Sequence, residues 1–345
     1  MPAGRIPNRA AGPHGPTIGV WIIRTIDVCL TFAQARSVVA PADEPGGQEL
    51  DRPRTSIVEV RTNADTAAGV VLVGGRSSRM GAPKAALEWH GSTLLYRTSA
   101  LLARTVNGPV VAVRAPGQAL PALPRGVELV DDPVEGLGPM QGIAAGLAVV
   151  QARAAVAFVC STDMPFLHPA FIRRVLRGLS DPQIDFVLPV ARGFRQPLAA
   201  GYRTRLAGPI SALLAEGNLR PGMLIKHCNA DLPDDDALLA DRELAASDPD
   251  LDSVLNVNSP EEYSAARERP SPQIGVECFG ALAAAGRRGR RVIAAATLGE
   301  AAAGVGLTLD RHIIAALNGD QMTRDPELPL VTGDAVAFLS ADAGG

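Results

Sequence analysis

From about Ile57 onward the chain alternates between short apolar runs and longer stretches with apolar residues at helical spacing. The run Val70-Val71-Leu72-Val73 has no polar side, which predicts a strand buried on both faces of a parallel sheet. Residues 93–105 (TLLYRTSALLART) have the spacing of an amphipathic helix, and 109–115 (PVVAVRA) read as the next strand. The pattern repeats: a helix over 142–152, a strand over 155–165 that runs into a polar loop, a helix over 168–179 and a strand over 185–190. Strands alternating with helices predict a doubly wound, Rossmann-like α/β fold with a mostly parallel sheet.

A charged, proline-punctuated stretch, SAARERPSP at 264–272, interrupts this rhythm and reads as a linker. Beyond it, 273–279 and 290–296 read as strands and 298–306 as a short helix. Two short runs flank Asn318-Gly319, a strong hairpin signal, and 332–340 form a last strand. Few residues hold all of this, so a small α+β unit is expected. Residues 1–54 lack sustained periodicity and are rich in Pro, Gly, Ala and Arg, which predicts a poorly ordered extension. The expected domains are therefore 55–266 and 273–345, joined by 267–272.

Composition narrows the function. Of 345 residues, 47% are apolar and 20% charged, with a net charge of −3, so no global electrostatic attraction for nucleic acid exists. Aromatics at 4% argue against base-stacking platforms. Cys29, Cys160, Cys228 and Cys278 are far apart, which predicts reduced, isolated thiols. His14, His90, His168, His227 and His312 form no metal-binding spacing. The apolar stretch 18–33 is too short to span a bilayer and is interrupted by Arg24 and Asp27; no membrane partner and a cytoplasmic location are expected.

The candidate chemistry begins where the first strand ends. Gly74 and Gly75 let backbone amides approach a ligand without a Cβ in the way, and Arg76, Arg79 and Lys84 add positive charge. That combination suits a phosphate group at a helix N-terminus. It is neither a P-loop, since Gly81 is not followed by Lys-Ser/Thr, nor a GxGxxG turn. Asp163, just past an apolar strand, either holds Mg²⁺ at the ligand-binding edge of the sheet or caps the helix that follows Pro165.

The stretch LVGGRSSRMGAPKAAL closely resembles the signature of the nucleotidyltransferases that include the molybdenum cofactor guanylyltransferases (MobA type). Val73 stands where that family usually has alanine, and Pro83 where it often has aspartate. CSTDMP at 160–165 resembles the family's metal-binding stretch, ELVDDPVEGLGPMQG its nucleotide-facing loop, RGFRQPL its acceptor-side stretch and LNVNSPEEY its N-x-N-T-P-E-D. The resemblance covers about residues 67–266 and implies a nucleotide-diphospho-sugar transferase-like fold. It implies nucleotide binding by Leu72, Val73, Gly74, Gly75, Lys84, Asp132 and Asp163. Catalytic roles fall to Arg79, Lys84 and Asp163, with Mg²⁺ held by Asp163 and by Asn258 or Asn256; the alternative for Ser259-Pro260-Glu261-Glu262 is simply a helix start.

The implied reaction is attack by the phosphate of molybdopterin on the α-phosphorus of GTP, releasing pyrophosphate. A phosphate monoester has its second pKa near 6, so it is anionic at neutral pH and needs no clustered histidine base. The C-terminal stretch, with LNGDQMT, TGDAVAFLSADAGG and terminal Gly344-Gly345, resembles the β-grasp (ubiquitin-like) sulfur carriers of MoaD/ThiS type. That resemblance implies a tail activated by a ubiquitin-activating (E1-like) adenylating enzyme and used by the molybdopterin synthase large subunit. The alternatives are a CTP-dependent molybdopterin cytidylyltransferase or other sugar- or polyol-phosphate nucleotidyltransferase, a transferase whose tail is only structural, and a non-catalytic carrier or scaffold of the same pathway.

Overall fold

The computed structural model describes residues 66–73, 83–134, 137–217 and 220–341. The expected extension 1–54, the residues Gly74, Gly75, Arg76 and Arg79, and Gly344-Gly345 lie outside the described residues.

The first part is built on a seven-stranded sheet. Its elements run β1 (Ala67–Leu72), the small hairpin β2 (Glu88–Trp89) and β3 (Ser92–Thr93), α1 (Leu94–Ala103), β4 (Val110–Arg114), β5 (Val127–Asp131), α2 (Pro139–Val150), β6 (Val156–Ser161) and α3 (Pro169–Gly178). There follow β7 (Phe186–Val187), the hairpin β8 (Val190–Ala191) and β9 (Phe194–Arg195), β10 (Ala199–Arg203), α4 (Ala207–Ala215), β11 (Ala230–Asp231), α5 (Asp235–Leu239), α6 (Arg242–Ser247) and α7 (Pro260–Arg267). Strand order is β11-β7-β10-β6-β1-β4-β5. Only β10 runs against its neighbours; β1 is parallel to both β4 and β6.

Alternation along β1 explains why it reads as one apolar run. Val71 and Val73 enter a core under α1 and α3, with Leu101, Phe158 and Phe171, while Ala68, Val70 and Leu72 enter a second core under α2 and α4, with Ile143, Leu147 and Tyr202. Both faces are covered, so no polar position survives. Helix α2 lies so close to β1 that a Cβ on Gly146 would stand 2.4 Å from Val70 Cγ1. Strand β5 escaped sequence reading because it lies at the sheet edge, where Glu128 and Leu129 face solvent. Helix α2 starts at Pro139, three residues before the periodic run suggested, because proline supplies a favourable first turn without a needed N–H.

From α7 the chain enters a second sheet: β12 (Gln273–Cys278), α8 (Ala281–Ala284), β13 (Arg291–Ala294), α9 (Leu298–Gly304), β14 (Ile313–Leu317), β15 (Gln321–Thr323) and β16 (Ala335–Ser340). Its order is β13-β12-β16-β14-β15, with β12 and β16 parallel and the other pairs antiparallel. The hairpin expected at Asn318-Gly319 is present, with both residues at positive φ (53° and 88°). Helix α9 is started by a capping Thr297, whose hydroxyl accepts from the Glu300 amide.

The two sheets share a packed seam. Ala100 of α1 is buried in the same cluster as Leu298, Leu330 and Phe338. Tyr96 donates to Asp325 at 2.5 Å. Arg104 Nη1 meets Asp334 Oδ2 at 2.9 Å with both side chains deeply buried, being 4% and 5% exposed. Asp334 also accepts from the Val331 amide and from Asn318 Nδ2, so the hairpin asparagine helps to hold the ion pair. His168, the N-cap of α3, accepts from the Ala170 amide on Nδ1; its Nε2 lies 3.0 Å from the Thr332 carbonyl and is therefore the protonated nitrogen.

Two outcomes test this seam. Removing either partner of the buried pair, by Arg104→Met or Asp334→Ala, strands a charge and is expected to destabilise the chain by about 3–5 kcal/mol in denaturant titrations, with the double variant costing clearly less than the sum. Burial holds the His168 imidazole below its ordinary pKa, so the unfolded chain takes a proton that the folded one resists. Stability is expected to be full above about pH 6.5 and to fall as the pH drops below it, and His168→Gln is expected to flatten that acid limb in thermal melts.

Candidate active site at the switch point of the sheet

Strand order reverses at β1. The chain goes from β1 outward to β4 and β5, then returns to place β6 on the other side of β1. A crevice opens at such a point beyond the C-terminal strand ends, because the connections leave in opposite directions. Register aligns Leu72 with Ser161, so β1 and β6 end side by side. Val73, whose amide still bonds the Val113 carbonyl, leads directly to the glycine pair, and Asp163 leaves β6 two residues past Ser161.

Three separate segments meet there. Lys84 stands at the start of a single 3-10 turn (Lys84–Ala86) after the glycine loop. Its Nζ donates to Asp163 Oδ2 at 2.7 Å and to Asn258 Oδ1 at 2.9 Å. The other Asp163 oxygen accepts from Ser161 Oγ at 2.5 Å. Backbone bonding adds to this, since the Asp163 carbonyl accepts from the Val257 amide. The lysine and aspartate side chains keep 22% and 15% of their exposure, enough for a ligand to reach them from the crevice.

The two readings of the 255–263 segment turn out to be compatible. Ser259 caps α7, accepting from the Glu262 amide, and Glu262 reaches back to the Asn258 amide at 2.6 Å. This reciprocal arrangement holds the Asn258 backbone and leaves its side chain for Lys84. Likewise Asp163 does not cap α3: that place is taken by His168.

A second group forms around the start of α2. The Gly138 N-cap sits at φ 75°, a conformation that favours glycine. A Cβ on Gly142 would lie 3.2 Å from Leu72 Cδ2 and 3.9 Å from Asp132 Oδ2, so Leu72 and Asp132 converge on this helix end. Burial pushes the Asp132 carboxyl above its ordinary pKa, partly offset by a bond from the Val134 amide.

Of the residues read from sequence, Lys84, Asp163 and Asn258 come together, and Leu72, Val73 and Asp132 lie along the same sheet edge. The positions of Gly74, Gly75, Arg79, Gly344 and Gly345 lie outside the described residues. Ser161 and Glu262 were missed. Ser161 had a signal, since a residue two before a strand-end aspartate can face it; Glu262 had one in the Ser259–Glu262 capping spacing. Among the described residues Cys160, Cys228 and Cys278 are free thiols, and Cys29 lies outside them. Among the described residues there is no group of three or more His, Cys, Asp or Glu that could hold a metal ion, and no helix is long and apolar enough to cross a membrane.

Comparison with known proteins adds to this geometry. The family described as the MobA-like NTP transferase domain matches residues 69–230. A probable molybdenum cofactor guanylyltransferase of Mycobacterium tuberculosis is 39% identical over 166 residues, 47% of this chain and 81% of the relative. A protein of the same description from Bacillus cereus is 32% identical over 206 residues, 58% of this chain and 96% of the relative. The crystal structure of molybdopterin-guanine dinucleotide biosynthesis protein A from Archaeoglobus fulgidus aligns at 21% identity over 58% of this chain and 97% of that one, with a TM-score of 0.46. With a mostly parallel sheet whose order reverses at β1 and relatives matched over most of their length, the chain belongs to the molybdenum cofactor guanylyltransferase family of MobA-like nucleotidyltransferases and is an enzyme of that kind.

Proposed function

We propose that the chain transfers GMP from GTP to the phosphate of molybdopterin, releasing pyrophosphate, with Mg²⁺. The observation that carries this reading is the Lys84 ammonium held between Asp163 and Asn258 where β1 and β6 end. Both residues offer hard oxygens, the donor type that Mg²⁺ takes, and Mg²⁺ commonly uses one or two protein carboxylates together with substrate phosphates. A cation already lies against these oxygens, so the site favours positive charge. When bound, Mg²⁺ would neutralise charge on the phosphate oxygens.

The chain's own residues then have distinct tasks. Lys84 exchanges its two oxygen partners for triphosphate oxygens as the nucleotide enters. Ser161 holds the Asp163 carboxylate in one orientation. The Gly74 and Gly75 amides and Arg79 are assigned to the triphosphate, and Leu72, Val73 and Asp132 to the nucleoside side of the crevice. The acceptor phosphate is anionic at neutral pH, so positioning and charge neutralisation supply the catalysis. GTP rather than CTP is the assigned donor because the relatives are named guanylyltransferases.

We further propose that residues 273–345 form a β-grasp unit of the sulfur-carrier type, working in the cytoplasm with an E1-like enzyme and the molybdopterin synthase large subunit. Numbered within the unit, its strand order is 2-1-5-3-4, with α9 between the second and third strands, which supports that reading.

The decisive assay supplies purified chain with Mg²⁺, molybdopterin and either GTP or CTP and follows pyrophosphate. Release with GTP is expected; release with neither nucleotide would overturn the transferase reading. Asp163→Ala and Lys84→Ala are each expected to lower kcat/KM by about 10²–10³-fold with unchanged circular dichroism. Ser161→Ala is expected to raise the Mg²⁺ needed for half-maximal rate by about tenfold or more, while saturating Mg²⁺ restores much of the turnover. For the carrier unit, mass spectrometry after incubation with an adenylating enzyme and a sulfur donor is expected to show oxygen replaced by sulfur at the C-terminus; an unaltered mass would remove that assignment.

A further inference from the structure

A cavity of about 170 Å³ lies in the seam between the two sheets, away from the Lys84 cluster. Trp89, His90, Arg97 and His168 line it from the transferase side, and Ala296 and Thr332 from segments connecting the strands of the second sheet. We propose that this cavity is a binding site for a small phosphate-type oxyanion, held by Arg97.

Arg97 is the reason. It is a charged side chain only 6% exposed, and a buried guanidinium requires a partner. Its Nε donates to the Pro165 carbonyl at 2.6 Å. Among the described residues its two terminal nitrogens have no hydrogen bond and its charge forms no ion pair, yet those nitrogens are not sealed off in the way that Arg104 Nε and Nη2 are. They therefore have the cavity to donate into. A guanidinium presents two parallel N–H groups, the geometry that matches two oxygens of a phosphate.

The other charged groups in the wall are already committed. Asp248 accepts from the Asp252 and Ser253 amides with its two oxygens. Asp252 accepts from Arg192 and Arg269, and Arg269 also lies over the Phe166 ring at 4.5 Å. His168 uses both ring nitrogens. His90 has no hydrogen-bond partner among the described residues, and the hydroxyls of Ser247 and Ser271 are further donors in the wall. The space is well beyond what a single water needs and admits phosphate with a small organic substituent. Burial and the neighbouring Arg104 charge pull the Arg97 pKa down to about 10, a cost that an anion would offset.

The site would also feel the crevice. Pro165, gripped by Arg97, is two residues beyond Asp163 on the same loop. An oxyanion on Arg97 thus bears on the segment that carries the candidate metal ligand.

The test is binding, not turnover, so it does not depend on the transferase reading. Lys84→Gln protein is used throughout, so that phosphate has less attraction to the crevice. Calorimetry with inorganic phosphate, and separately with glycerol 3-phosphate, is run against chloride at equal ionic strength. Saturable binding is expected, with whichever ligand binds more tightly showing whether the free ion or a phosphate ester is the natural form. Ala296→Leu, which fills the cavity from the opposite wall and leaves Arg97 intact, is expected to weaken that binding at least about tenfold, or about 1.4 kcal/mol. Arg97→Met is expected to do the same if it folds. No saturable binding up to roughly 10 mM, or binding unchanged in Ala296→Leu, would overturn the proposal.

Discussion

One ammonium group organises the candidate site. Lys84 arrives after the glycine loop, Asp163 leaves the sixth strand and Asn258 precedes a helix almost a hundred residues later, yet Nζ of the lysine bonds both others within 3 Å. Such a bridge is worthwhile only where solvent cannot fully screen it, and partial burial of the lysine and the aspartate meets that condition. The contact also keeps negative charge from standing unpaired while leaving it open to exchange. Under the proposed function, a nucleotide carrying its own counter-ion would replace the lysine at the carboxylate and receive the lysine at its phosphates. The first sheet makes the cluster possible by ending two strands side by side.

The supports around the carboxylate are arranged in layers. Ser161 restrains one oxygen, the Val257 amide restrains the backbone, and Arg97 restrains the loop from behind through Pro165. The last of these reaches into the seam with the second sheet. The two sheets are thus not beads on a string: a buried Arg104–Asp334 pair, a histidine cap bonded to Thr332 and a shared apolar cluster hold them together. Breaking such contacts leaves charges and donors stranded in a medium that cannot solvate them. The short connection from α7 to β12 therefore joins surfaces that are already in contact.

Much of this was legible in the residue pattern, and for identifiable reasons. A strand buried on both faces must be apolar throughout, so β1 stood out; β5, exposed at the edge, did not. The Asn318-Gly319 turn announced itself because two successive positive φ angles favour asparagine and glycine. Asp163 and Lys84 stood out as candidates because each follows a strand end or glycine run in sequence, and the structure brings their side chains together. Asn258 was ambiguous between candidate ligand and helix start, since the same short segment starts α7 and presents its side chain to Lys84. Ser161 and Glu262 were passed over because each acts through another residue.

The chain's order of residues determined the local elements, the glycine-rich exit of the first strand and the chemical types available for phosphate and metal. It did so because strand burial, turn geometry and helix capping depend on neighbours a few positions away. Tertiary structure alone decided that Lys84, Asp163 and Asn258 share one point, that Arg104 finds Asp334, and that Arg97 is sunk beside a cavity with its terminal nitrogens unclaimed among the described residues. Those relations span from 68 to 230 positions of chain, and only the crossing of strands about the switch point and the closing of the seam bring such distant groups within hydrogen-bond reach.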